Sequence, residues 1–310
     1  MYMKLSGLET FWTTYREGSL RRAAGILMRS QPALSYQIRD LEAELGAPLF
    51  ERRGKKLVAT ETARRLAPQV GEILERLREL ARSGRALGSP QKGTLVVTTS
   101  HTLTARVLWK AMARFWKVCP DFEVVVEDAL TAQVTESVRQ GSADLGITLA
   151  GEIPEVLESR PLLRFTYYLL LPRRGPWGRF RPRSCAELEK VPLLLGIPRS
   201  AYRQWVDGVL DRMGVRRRLR AEIATLETLP RLVRLGLGAS ILPGYALFEE
   251  SLEGLRVCSL ESAFGSQTLR AVTRKAGYAL QAASEFEALL QKELFRASGT
   301  FLRRGFVPIP

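Results

Sequence analysis

Apolar residues at the start of the chain recur with a helical period. Leu5, Leu8, Phe11, Trp12 and Tyr15 return every three or four positions, which predicts an amphipathic helix ended at Gly18. Ser19 is placed to cap a second helix, whose Ala23, Ala24 and Leu27 give it a narrow packing face. A third helix opens at Ser30, with Pro32 in a first turn where a missing N–H costs nothing. Leu34, Ile38, Leu41 and Leu45 form its apolar stripe, and Gly46 stops it. Leu49-Phe50 and Leu57-Val58 then bracket a basic hairpin-type turn over 51–56. Beyond it, Leu66, Val70, Ile73, Leu77 and Leu80 alternate steps of four and three, an a/d seam flanked by Glu72, Glu75, Arg76, Arg78 and Glu79. A lone helix of that length is marginal in water. Its seam therefore needs a cover, either a second copy of the same helix or the chain's own second half.

After a Gly/Ser/Pro-rich break at 84–93 the pattern becomes an alternation of strands and helices, the signature of a mostly parallel sheet. Strands are expected over 95–99, 122–127 and 144–149, with helices over 103–117 and 133–139 between them. Segment 163–171 then leaves this first lobe. A second lobe follows, with strand 193–197, helix 201–213 and segments 219–224, 226–235 and 239–242. Strand 269–273 and helix 279–295 return to the first lobe. Two such crossings predict a hinge with a cleft between the lobes. Ligands in open α/β sheets sit beyond the carboxyl ends of strands, where helix starts offer unpaired N–H groups. Those ends nominate Ser100, His101 and Thr102, then Leu130, Thr131 and Thr148, then Ile197, Arg199, Ser200 and Thr225. Hydroxyls, N–H groups and one arginine suit a small anionic or zwitterionic metabolite, with Asp128 near enough to receive an ammonium group. The competing reading is ordinary helix capping by serine and threonine.

At 45% hydrophobic and 25% charged residues, the 310-residue chain has the composition of a soluble globular protein. Its longest apolar runs, 167–171 and 191–197, are too short to cross a bilayer. Glu9 and Glu17 interrupt the N-terminus, which has no apolar core of a signal peptide, so a cytoplasmic protein without a membrane partner is expected. Cys119, Cys185 and Cys258 are odd in number and form no CxxC pair, which fits a reducing compartment and leaves no thiolate zinc site. His101 is the sole histidine, and there is no G-x-S-x-G elbow, GxGxxG, P-loop or HExxH. Neither an enzyme nor a metal or cofactor site is expected. Charge points elsewhere: 47 basic residues, mostly arginine, stand against 32 acidic ones, a net of +15. Residues 1–92 hold 17 basic and 10 acidic side chains, about twice the net positive density of the rest, so nucleic-acid binding belongs there.

Two short helices joined by a tight turn, the second showing a polar face, form the helix-turn-helix arrangement. On the third helix Pro32, Ser35, Tyr36 and Arg39 lie opposite the leucine stripe, with Ser30 and Gln31 at the tip; Arg52, Arg53 and Lys55 occupy the following turn. Glutamine pairs with adenine and arginine with guanine, while hydroxyls reach phosphates or bases. The bland alternative is a merely solvated face.

At these positions the chain resembles the LysR-type transcriptional regulators. The ordered residues Gly18-Ser19, Ala23-Ala24, Leu27, Ser30-Gln31-Pro32-Ala33-Leu34-Ser35, Ile38, Leu41-Glu42, Leu45-Gly46 and Pro48-Leu49-Phe50-Glu51-Arg52 carry the resemblance. Weaker matches are the stretches from Gly141 to Ile147 and from Gly236 to Pro243. The sequence departs from the family pattern where Ala59 and Ala63 replace the usual leucine and glycine after the wing. The resemblance implies an α/β protein with an N-terminal winged helix-turn-helix (residues 1–62), a dimerising linker helix (63–88), a hinge (89–92) and a two-lobed effector domain like periplasmic solute-binding proteins (93–310). Lobe I would hold about 93–163 and 267–300, and lobe II about 164–266. It further implies a sequence-specific regulator, a homodimer or homotetramer on pseudo-palindromic double-stranded operator DNA, gated by the small molecule. The alternative is an intracellular solute-binding module without a transcriptional role.

Overall fold

The computed structural model describes residues 3–53, 56–87, 93–149, 151–275, 280–304 and 307–308. The chain divides into two compact units, Met1–Arg82 and Ser83–Pro310. The expected hinge at 89–92 lies outside the described residues.

The first unit holds α1 (Leu5–Glu17), α2 (Leu20–Ile26), α3 (Gln31–Leu45), the hairpin of β1 (Phe50–Arg53) and β2 (Lys56–Ala59), and the start of α4 (Glu61–Leu87). Gly18 and Gly46 end α1 and α3 in the left-handed conformation, at φ 60° and 67°, that glycine adopts without a Cβ clash. The side chains of Ser19 and Ser30 accept the N–H groups of Arg22 and Ala33, closing the first turns of α2 and α3. Thr60 does the same for α4, accepting the Ala63 N–H at 3.1 Å while donating to the Pro48 carbonyl at 2.8 Å. Glu42 on α3 accepts the N–H groups of Leu49 and Phe50, tying the helix to the wing. Ala63 is fully buried in the first turn of α4, so at this departure from the family pattern a methyl group joins the core.

The predicted seam along α4 divides. Val70 is 7% exposed and packs with Phe11, Leu41, Leu49 and Leu74, and Leu66 rests on the same cluster. These two residues face their own unit and are not available to a partner helix. Ile73, Leu77 and Leu80 remain 47%, 38% and 68% exposed. The heptad rule assumes a helix covered along its whole length by one partner, whereas the first half of α4 is already docked on α1 and α3.

The second unit begins with β3 (Gly93–Thr99), followed by one nearly continuous helical run: α5 (His101–Leu103), a π-helical turn over Thr104–Leu108, and α6 (Trp109–Val118). Next come β4 (Phe122–Asp128), α7 (Thr131–Gln140), β5 (Leu145–Thr148) and the long β6 (Leu157–Pro172). The second lobe holds β7 (Leu193–Gly196), α8 (Ala201–Arg212), β8 (Leu219–Ile223), α9 (Leu229–Arg234), β9 (Ser240–Pro243), β10 (Leu255–Ser259) and α10 (Glu261–Phe264). Strand β11 (Ser266–Arg274) and helix α11 (Leu280–Leu302) return to the first lobe, and β12 (Val307–Pro308) pairs with β10.

The main sheet runs β12-β10-β6-β11-β5-β3-β4, with β9 also on β6. Only β4-β3-β5 and β10-β12 are parallel there; β11 and β6 run antiparallel to their neighbours, so the sheet is mixed rather than mostly parallel. The alternation of elements reveals strand–helix–strand units, but not the direction of strands that return from another lobe. Strand β6 is itself the crossing. It pairs with β11 up to Thr166 and with β9 from Tyr167. It begins six residues before the predicted 163, in a stretch where exposed Arg160 and Pro161 hide the strand pattern. Strands β7 and β8 form a parallel pair joined to β9 by a bridge between Leu193 and Ala239.

Candidate functional site

In the first unit, Leu34, Ile38 and Leu41 of α3 are buried, which turns Gln31, Pro32, Tyr36 and Arg39 to solvent with Ser35 half-buried between them. The helix is held from behind: the Thr10 hydroxyl of α1 donates to Gln37 Oε1 at 2.6 Å, and Lys4 pairs with Asp40 at 3.0 Å. The Arg39 Nε lies 3.3 Å from the Ser35 carbonyl, which steadies the stem of a cation aimed outward. Ser30 is exposed, but its oxygen serves the cap described above. Arg52 and Arg53 have their backbone in β1, and Lys55 lies outside the described residues. Arg21, which sequence reasoning passed over, is exposed at the start of α2 with no carboxylate partner among the described residues.

The second unit contains a cleft of about 570 Å³. Ser100, His101, Thr102, Leu130, Thr131, Thr148, Ile197, Arg199, Ser200 and Thr225, the full set nominated from strand ends, line it. Four helix starts converge there, those of α5, α7, α8 and the 3-10 turn Leu226–Thr228 that leads into α9. First-turn N–H groups have no intrahelical partner and carry the positive end of the helix dipole, so the cleft favours negative charge.

The hydroxyls at these starts do not cap. Neither Ser100, Ser200 nor Thr225 makes a side-chain cap bond. Ser200 instead donates to the Ile197 carbonyl at 2.8 Å, and Thr225 lies 3.3 Å from the Thr228 hydroxyl. Thr102 is 6% exposed, and its hydroxyl has no partner among the described residues. His101 Nδ1 lies 3.0 Å from Asp128 Oδ2, so Asp128 is already engaged on the cleft wall. Arg199 is exposed at the rim without a carboxylate partner among the described residues.

Sequence reasoning missed the tyrosines. Tyr202 and Tyr245 are buried cleft residues, and burial raises both phenols well above their ordinary range, so they stay neutral hydrogen-bond donors. The Gly196 N–H donates to the Tyr202 oxygen at 2.7 Å. Tyr245 packs edge-on against Phe165 at 4.9 Å, and its hydroxyl has no partner among the described residues. Tyr245 follows β9 directly, far along the chain from the other cleft loops, and no local pattern marks it.

Residues 88–295 match the model of the LysR substrate binding domain, and residues 5–64 that of the bacterial regulatory helix-turn-helix protein, lysR family. The chain belongs to the LysR family of transcriptional regulators. As a LysR-type regulator it couples a DNA-binding helix-turn-helix to an effector-binding domain. Among its relatives, the "Probable RuBisCO transcriptional regulator" of Nostoc sp. is 31% identical over 277 residues, covering 87% of this chain and 82% of that protein. The "Uncharacterized HTH-type transcriptional regulator YfeR" of Shigella flexneri is 29% identical and covers 80% of each chain. The crystal structure of CbnR, a LysR family transcriptional regulator, superposes with a TM-score of 0.68 at 21% identity, covering 94% of this chain and 99% of CbnR. An OxyR mutant of Corynebacterium glutamicum gives 0.60 at 21% identity, covering 99% and 97%. These two likenesses carry the fold.

Proposed function

We propose that this LysR-type regulator reads its operator with Gln31, Tyr36 and Arg39 of α3, aided by Ser30, Pro32, Ser35 and the wing residues Arg52, Arg53 and Lys55. Its effector would be a small carboxylate-bearing metabolite held in the cleft of the second unit. The carrying observation is the cleft's chemistry: converging helix starts, hydroxyls not spent on capping, and the cation of Arg199, which has no carboxylate partner among the described residues. The Thr102 and Tyr245 hydroxyls line the cleft without a partner among the described residues and would bond the effector's polar atoms, each such bond contributing about 0.5–1.5 kcal/mol. Its role in this reading is regulation by binding, in keeping with a family of transcriptional regulators. Work on cytoplasmic DNA agrees with the absence, among the described residues, of any helix long and apolar enough to cross a membrane.

Calorimetry of the full chain against organic acids, amino acids and sugars tests the reading. A carboxylate should bind, and Thr102→Val and Arg199→Gln should each weaken it by about 1–3 kcal/mol while operator binding without effector survives. Binding of neutral compounds only, or indifference to both substitutions, refutes a carboxylate effector.

A further inference from the structure

A second cavity, of about 370 Å³, opens beside β6 and shares no lining residue with the cleft. It lies over the point where β6 changes partners, between the Thr166–Ser266 pair with β11 and the Tyr167–Pro243 pair with β9. Tyr168, Phe248 and Phe301 are buried residues of its wall; the Phe301 ring meets Tyr168 edge-on at 5.0 Å and Phe248 at 5.8 Å. Two charged side chains of opposite sign also border it, Arg164 and Glu261. Arg164 donates from Nε to the Ser266 hydroxyl at 2.5 Å, and neither charge has an ionic partner among the described residues. Burial, with the Glu261 carboxylate that borders the same cavity, pushes the Tyr168 phenol up to about 12.

We propose that this cavity is a second ligand site for a small aromatic zwitterion, with its carboxylate on Arg164, its ammonium on Glu261 and its ring against the aromatic wall. An aryl carboxylate alone would face Glu261 with a like charge, and an aryl amine would do the same with Arg164; only a molecule carrying both charges satisfies the pair. The site bears directly on the hinge. Phe165 borders this cavity and packs against Tyr245, which lines the cleft, so a ligand that fixes β6 against α11 also fixes one wall of the cleft. Coupling of this kind is reciprocal: each ligand changes the other's affinity by the same factor.

The test uses the full chain and three probes: phenylalanine, 3-phenylpropionate and phenethylamine. In calorimetry phenylalanine should bind in the millimolar range or better, and the singly charged probes about tenfold more weakly. Arg164→Gln and Glu261→Gln should each cost phenylalanine about tenfold, and Ser298→Trp, which fills the cavity, should abolish its binding. Circular dichroism checks each variant, and if Ser298→Trp does not fold, the two charge-neutralising variants decide. Absence of phenylalanine binding, equal binding of the three probes, or loss of binding on Thr102→Val but not on Arg164→Gln overturns the proposal; the last outcome would place phenylalanine in the cleft.

Discussion

Serine at a helix start does two different jobs in this protein. Ser19 and Ser30 turn their side-chain oxygens onto the first helical turn and close it, whereas the side chains of Ser100 and Ser200 make no cap bond to the helices they precede. Residue type and position are alike; Ser200 instead spends its hydroxyl on the Ile197 carbonyl. On α3 the same logic separates Ser30, engaged in its cap, from Gln31 and Arg39, whose ends face solvent. Gln31→Ala and Arg39→Ala should therefore each weaken operator binding by about 1–3 kcal/mol and relax base preference, with unfolding unchanged. Fluorescence anisotropy on operator and on mismatched DNA measures both effects. A uniform loss on all sequences would make these residues phosphate contacts, and no loss at all would take the helix out of the groove.

Among the elements, α8 and α4 show how packing fixes what a segment does. A Cβ at Gly196 would sit 2.3 Å from Tyr202 Cε1, inside the ring of a buried side chain whose oxygen accepts the Gly196 N–H. Strand β7 and the start of α8 are thereby locked together at the cleft. Gly196→Ala should cost about 1–3 kcal/mol of stability in urea unfolding and weaken effector binding, because Ser200 and Ala201 move with the ring. An unchanged midpoint would mean that the ring yields freely. On α4, the exposed Ile73, Leu77 and Leu80 form a short apolar strip that a second copy of the helix can cover. The double substitution of Ile73→Glu and Leu77→Glu should lower the mass seen in light scattering and abolish tight operator binding, while Val70, buried at home, plays no part between copies. An assembly of unchanged mass would move the interface elsewhere.

At the scale of the molecule, each compact unit has its own hydrophobic core: Phe11, Leu41 and Leu74 anchor one, and Phe115, Tyr167 and Phe286 the other. Separate cores predict two calorimetric transitions. Effector at a hundred times its Kd should stabilise the unit of residues 83–310 by about 2.7 kcal/mol and leave the other transition in place, whereas operator DNA should shift the other. A single transition moved equally by either ligand would show that the units unfold as one.

Local pattern was enough for the helix-turn-helix. Its helices, stops and wing are written in apolar spacing, capping residues and glycines, all of which act within a few positions of one another. The strand ends that supply the cleft loops were legible for the same reason, since a strand followed by a helix exposes its junction whatever surrounds it. Three features were settled only by tertiary structure. The antiparallel course of β6 and β11 depends on hydrogen bonds between segments about a hundred residues apart, such as Thr166 with Ser266. The division of the α4 seam depends on Phe11 and Leu41 reaching Val70 before any partner does. Tyr245 joins the cleft only because β9 lies against β6 and delivers it there. Hydrophobic spacing states that a face must be buried; only the closed chain decides what buries it.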